Sequence, residues 1–142
     1  MLREVADADL PAIFEQQRDP ASVAMAGVPA RDPDAFHAHW ARIRADPTNI
    51  LRVIEVDGAV AGTCVSFLLD GRRMAGYWVD RAHWGRGIAS RAFALFLAEI
   101  PERPLWATVL AANGGSRRVL EKNGFRRTGA AEDVAELLYV LQ

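Results

Sequence analysis

Val79-Asp80-Arg81-Ala82-His83-Trp84-Gly85-Arg86-Gly87-Ile88-Ala89-Ser90 is the stretch on which the reading of this chain turns. The apolar run before it predicts a strand ending at Val79. Glycines follow at 85 and 87, and a helical pattern opens almost at once, with Phe93, Phe96, Leu97 and Ile100 on one face. The first N–H groups of a helix have no partner inside it. Together with the helix dipole they make an anion site, and glycines beside them let a pyrophosphate approach closely. A Walker loop needs a lysine after its last glycine, and this segment has none. A dinucleotide fingerprint needs G-x-G-x-x-[GA] after the first strand of a parallel sheet; here position 90 is Ser and antiparallel strands come first.

Working outward, Ile50 to Val56 is β-branched and strand-like, and Asp57-Gly58 is a two-residue hairpin signal leading to a partner strand from Ala59 to Leu69. Asp70-Gly71 makes a second turn into a third strand, Arg73 to Val79. Upstream, Leu2 to Val5 reads as a strand, and Asp7 as the cap of a helix carrying Leu10, Ile13 and Phe14. Asp19 to Arg31, with Pro20, Gly27 and Pro29, reads as irregular. Asp32 caps a helix from Pro33 to about Ala45, where Phe36, Trp40 and Ile43 form one stripe. Downstream come a strand from Leu105 to Leu110, a short helix from Ser116 to Asn123, and a final hairpin from Phe125 to Ala130 and Val134 to Leu141. The order is βααβββαβαββ, an α/β (α+β mixed sheet) fold with antiparallel strands first and a βαβ unit later.

A second segment restricts the choice. Asn113-Gly114-Gly115-Ser116-Arg117-Arg118-Val119-Leu120-Glu121-Lys122-Asn123-Gly124-Phe125 follows the glycine loop by one helix and one strand. Together the two segments resemble the GNAT acetyltransferase superfamily. The first is similar to its acetyl-CoA loop, [QR]-x-x-G-x-[GA], with Gly87 and Ala89 at the small positions and Trp84 where Gln or Arg is usual. The second is similar to N-x-x-S-x-x-x-[YL]-E-K-x-G-F. With Gly76-Tyr77-Trp78 upstream, the resemblance is nearest to the branch of ribosomal-protein N-terminal acetyltransferases, and it covers residues 2 to about 140.

The resemblance implies a central mixed sheet splayed between strands 73–80 and 105–110, with acetyl-CoA in the gap and direct attack of an amine on its thioester. The backbone of Trp78 and Val79 would hold the pantetheine arm. Trp84, Gly85, Arg86, Gly87, Ile88, Ala89 and Ser90 would wrap the pyrophosphate, Asn113 would fix the arm near the thioester, and Ser116 would face the sulfur. Leu120 stands where many relatives carry a tyrosine acid, and leucine cannot donate a proton. Ser116, and Tyr77 in its stead, are therefore the candidate acids, although Tyr77 reads first as a core or cleft-wall aromatic. Glu55 shares a strand face with Leu51 and Val53, and burial there would raise its pKa toward use as a base. Its place beside the Asp57-Gly58 turn favours the other reading, a solvated strand end. Asp80 and His83 flank the loop as alternatives. A non-catalytic acyl-CoA-binding domain of the same fold is the competing function.

Composition narrows the classes further. At 142 residues a chain buries roughly 70% of its unfolded surface, so a single domain spanning residues 1–142 is expected. Apolar residues are 51% and charged residues 25%, which argues against disorder. A net charge of −1 with no basic stripe argues against a nucleic-acid partner. The single cysteine, Cys64, cannot form an internal disulfide or a cysteine-based metal site, and no metal is expected. Neither a signal peptide nor an apolar span is visible, so a cytoplasmic protein away from membranes is expected. Acetyl-CoA and an amine are the expected partners, and pairing of two copies as a homodimer stays open.

Overall fold

The structure, a computed structural model, describes residues 1–128 and 135–142. Its strands form one mixed sheet in the order β1-β2-β3-β4-β5-β7-β6. These are β1 (Leu2–Glu4), β2 (Ile50–Val56), β3 (Ala59–Leu69), β4 (Arg72–Val79), β5 (Leu105–Leu110), β6 (Arg126–Arg127) and β7 (Glu136–Leu141). The Asp57-Gly58 and Asp70-Gly71 turns join β2, β3 and β4 into an antiparallel meander, with the aspartates at φ 52° and 51°. The final hairpin is present as β6 against β7. The stretch assigned to it at 129–130 and at Val134 lies outside the described residues.

Five helices cover the two faces among the described residues: α1 (Leu10–Arg18), α2 (Pro20–Ala26), α3 (Pro33–Ala45), α4 (Ile88–Ala98) and α5 (Gly114–Lys122). Both faces need covering because consecutive residues of the central strands, such as Val53 and Ile54, are apolar and point to opposite sides. On one face Phe93, Phe96 and Leu97 of α4 and Leu120 of α5 bury Ile54, Cys64, Ala75 and Val79. On the other, Ile13 of α1 with Phe36 and Trp40 of α3 bury Val53. Burying one such side chain fully is worth about 1.5–3 kcal/mol. Asp32 caps α3 as its sequence predicts, accepting from Ala35 N at 2.8 Å.

Two expectations change. Asp7 does not cap α1: residues Asp7–Asp9 form a 3₁₀ turn, and the Asp7 carboxylate accepts from Arg44 at 2.6 Å. The stretch from Asp19 to Arg31 is not wholly irregular, because it contains α2. Pro20 occupies the first turn of that helix, where its missing N–H costs nothing, and the Asp19 carboxylate accepts from Ser22 N at 3.0 Å. Gly27, at φ 73°, closes the other end.

The feature that positions the site is the end of one strand pairing. β4 and β5 run parallel and pair only through Arg73↔Leu105 and Met74↔Trp106, then separate. β4 is held on its other side along its whole length by β3. At Gly62 the approach is so close that a Cβ would stand 2.0 Å from the Trp78 carbonyl oxygen. The open edge of β4 is therefore fixed in place.

Candidate functional site

Between the parted strands lies a cleft of about 680 Å³. Asp80 N donates to Ala61 O, so the β3–β4 ladder takes the backbone groups of Trp78, Gly76 and Met74. By alternation those of Ala75, Tyr77 and Val79 turn toward the gap that β5 leaves. This is a strand edge ready to pair with an extended ligand. The Val79 carbonyl on that edge already accepts from the Trp84 indole at 2.9 Å. Trp84, which replaces the usual Gln or Arg of the loop motif, thus ties the loop back to the strand it leaves.

At one end of the cleft the loop delivers α4. Gly85 and Gly87 sit at φ 79° and 71°, in the left-handed region, and Gly87 is the residue that opens the helix. Its N-terminus carries no side-chain cap, and the first helical N–H to find a backbone acceptor is that of Arg91, on Gly87 O at 3.2 Å. The preceding N–H groups are left for an anion, in the direction the helix dipole favours.

At the heart of the cleft, Tyr77 on β4 and Ser116 on α5 meet: the phenol donates to Ser116 Oγ at 2.8 Å. Phe93 packs on the Tyr77 ring with centroids 5.2 Å apart. Burial lifts the phenol above its usual range, although the Ser116 bond pulls the other way. Tyr77 therefore holds its proton through neutral pH and is placed to donate it. Asn113 caps α5, accepting from Ser116 N at 3.1 Å, while its amide nitrogen donates to Met25 O at 3.1 Å. Both ends of that side chain are engaged within the protein.

Of the residues expected at the site, Tyr77, Trp78, Val79, Trp84, Gly85 and Gly87 line the cleft, as do Ile88, Ala89, Ser90, Asn113 and Ser116. Two do not. Glu55 lies on β2, with β3 between it and β4, and accepts from Arg3 Nε at 2.6 Å. It faces the side of Leu51 and Val53 as its spacing implies, but that side is covered by α1 and α3 and leads away from the gap. Arg86 stands outside the cleft wall, and its carbonyl accepts from Arg91 Nη1 at 3.0 Å.

The wall also contains residues that the sequence did not single out. Ser22, Met25 and Ala26 of α2, with Val28 beyond it, form one side, and Arg118 and Lys122 of α5 stand on another. Of the two loop-flanking alternatives for the base, His83 lines the cleft, with Nδ1 3.7 Å from Asp80 Oδ2, and Asp80 does not. Cys64 is buried outside this wall, and its thiol is pushed up to about 12 by burial, which leaves it protonated and unreactive.

The Acetyltransferase (GNAT) domain family matches residues 1–126. The chain belongs to that family. A probable N-acetyltransferase, YjcK of Bacillus subtilis, is 42% identical over 60 residues, which is 39% of this chain. The match spans only 33% of that relative's length. A spermidine N-acetyltransferase from Vibrio cholerae, solved with CoA and spermine, superposes with a TM-score of 0.86 at 13% identity, covering 99% of this chain and 94% of that one. A ribosomal-protein-alanine N-acetyltransferase from Brucella melitensis gives 0.79 at 23% identity, covering 99% and 97%. At these identities the solved structures establish a shared fold, the mixed sheet that the sequence predicts.

Proposed function

We propose that the chain transfers an acetyl group from acetyl-CoA to an amine by direct attack. The observation that carries this reading is the coincidence, in one cleft, of an uncapped helix N-terminus, an open strand edge and a Tyr77–Ser116 proton-donor pair. The N–H groups opening α4 take the pyrophosphate, with Gly85 to Ser90 wrapped around it. The edge of β4 at Tyr77 to Val79 takes the pantetheine arm as an added strand.

Acetyl-CoA supplies an activated acyl carbon whose thiol leaves. The amine nitrogen bonds to that carbon, the C–S bond breaks, and two protons move. One leaves the nitrogen. Among the described titratable side chains lining the cleft, Arg118 and Lys122 are cations and Tyr77 holds its proton, so His83 is left as the acceptor. The other goes to the departing sulfur from Ser116 Oγ, which regains it from Tyr77 through their hydrogen bond; Tyr77 is then reprotonated from solvent as His83 releases the proton it took. A free backbone N–H on the β4 edge stabilises the oxyanion in passing. Leu120 is buried and takes no part, so the proton comes from Ser116 earlier on α5, resupplied by Tyr77 on β4.

Release of CoA thiol in the presence of acetyl-CoA and an amine panel, with mass spectrometry of the products, tests this. Tight acetyl-CoA binding without transfer to any amine would instead make the domain an acyl-CoA-binding module.

A further inference from the structure

The cleft has two kinds of wall. The loop and α5 side carries two cations, Arg118 and Lys122, beside the His83 imidazole. The α2 side is apolar at its mouth, where Met25 is 39% and Val28 50% exposed, with Ala26 beside them and Trp78 and Leu110 from the two parted strands. Among the described residues no aspartate or glutamate lines the cleft. Those close to it in the chain are committed elsewhere: Glu121, beside Lys122, accepts from the Tyr139 hydroxyl at 3.0 Å. Asp19 caps α2 through Ser22 N and Oγ and pairs with Arg81 at 3.3 Å; Asp80 stands 3.7 Å from His83. Both open instead on a separate hollow beside Glu15 and Arg18.

Charge then decides what this cleft accepts. A polyamine or an aminoglycoside brings several ammonium groups, and each one left without a carboxylate inside a cleft pays a desolvation cost that nothing repays. A single amine, neutral when it reacts, on an apolar body meets none of these costs and covers the exposed Met25 and Val28 surface.

We infer that the acceptor is a monoamine carried on an apolar body, either a small amine or a chain N-terminus with an apolar first residue, and that Met25 and Val28 set this preference. The inference rests on the acetyl-transfer reading above.

Four acceptors test it with the whole chain and acetyl-CoA: phenethylamine, a lysine-free peptide amide beginning with leucine, spermidine and an aminoglycoside. One or both of the first two are turned over with kcat/KM on the order of 10²-fold above the last two. The faster of the first two identifies the source of the amine. A Met25→Glu, Val28→Glu double variant shifts the ratio toward spermidine by at least about tenfold while acetyl-CoA affinity, read by calorimetry, stays within about twofold. A native preference for spermidine or the aminoglycoside, or a ratio unmoved in a variant that still binds acetyl-CoA, overturns the inference and leaves acetyl transfer standing. Acetyl-CoA binding with no acceptor turned over removes the reading beneath it, and the inference falls with it.

Discussion

Tyr77 on β4 donates its phenolic proton to Ser116 on α5 at 2.8 Å, joining two elements thirty-nine residues apart across the floor of the cleft. The pair puts two hydroxyls in series where a single tyrosine on α5 is more usual in the proteins this sequence resembles. Both hydroxyls line the cleft and the phenol is the donor between them, so in the proposed reaction the serine serves the sulfur and the phenol resupplies the serine. Ser116→Ala is expected to cut kcat by about 10²-fold with little change in acetyl-CoA affinity. Tyr77→Phe, which keeps the ring on Phe93, should cost less and remove the alkaline limb of the pH–rate profile. CoA thiol has a pKa near that of free cysteine, about 8.5, so the thiolate leaves tolerably without help and neither variant is inert. Leu120→Ala should alter stability alone. Steady-state kinetics carried from pH 6 to above pH 10, where the raised Tyr77 phenol ionises, distinguish these outcomes.

The α4 N-terminus gives a separate handle. In Gly87→Glu a carboxylate enters the place prepared for phosphate, and acetyl-CoA affinity should fall more than about 10²-fold. Gly87→Ala carries the same left-handed backbone strain, about 1–2 kcal/mol, without the charge. Calorimetry on both separates electrostatics from strain; equal losses would mean that the loop serves only to turn the chain.

How the sequence concealed part of this site is visible at α2. Pro20, Gly27 and Pro29 read as breakers, yet Pro20 opens the helix behind the Asp19 cap and Gly27 closes it. The punctuation was the helix's own, and a seven-residue helix has too few turns to show a period. The strands, the two Asp-Gly turns, the α4 stripe and the loop were legible because local chemistry alone specifies them. Glu55 was placed on its correct face, but its partner Arg3 comes from β1, fifty-two residues away, and no local pattern reveals a long-range ion pair. The same limit hid which of Ser116 and Tyr77 touches the other.

His83 is assigned as the proton acceptor because the other described titratable groups on the wall are cationic or hold their protons. The charges around it are Asp80 in its own turn, Arg81 with its Asp19 partner from the start of α2, and Arg118 and Lys122 across the cleft. His83→Gln should lower kcat/KM by about 10²- to 10⁴-fold while acetyl-CoA affinity, read by calorimetry, is retained. Full activity in the variant would place the base on another residue.

The last prediction concerns the frame rather than the cleft. Arg3 on β1 holds Asp9 with two bonds of 2.8 Å, and Asp9 also accepts from Ala6 N at 2.8 Å, pinning the first strand to the start of α1. The Arg3 guanidinium, with help from that backbone N–H, holds the buried Asp9 carboxyl below its ordinary 3.8. The sign follows from proton binding. Between the two values the unfolded chain binds a proton that the folded chain does not, so stability is fully present above about pH 4 and is lost as pH falls through the folded value. Asp9→Asn should therefore cost about 1 kcal/mol at pH 7, since Arg3 keeps Glu55 as a partner, and its deficit should shrink toward pH 2. Urea unfolding midpoints of both proteins at pH 7, 4 and 2.5 measure this. A deficit that stays constant across the three would assign the loss to packing rather than to charge.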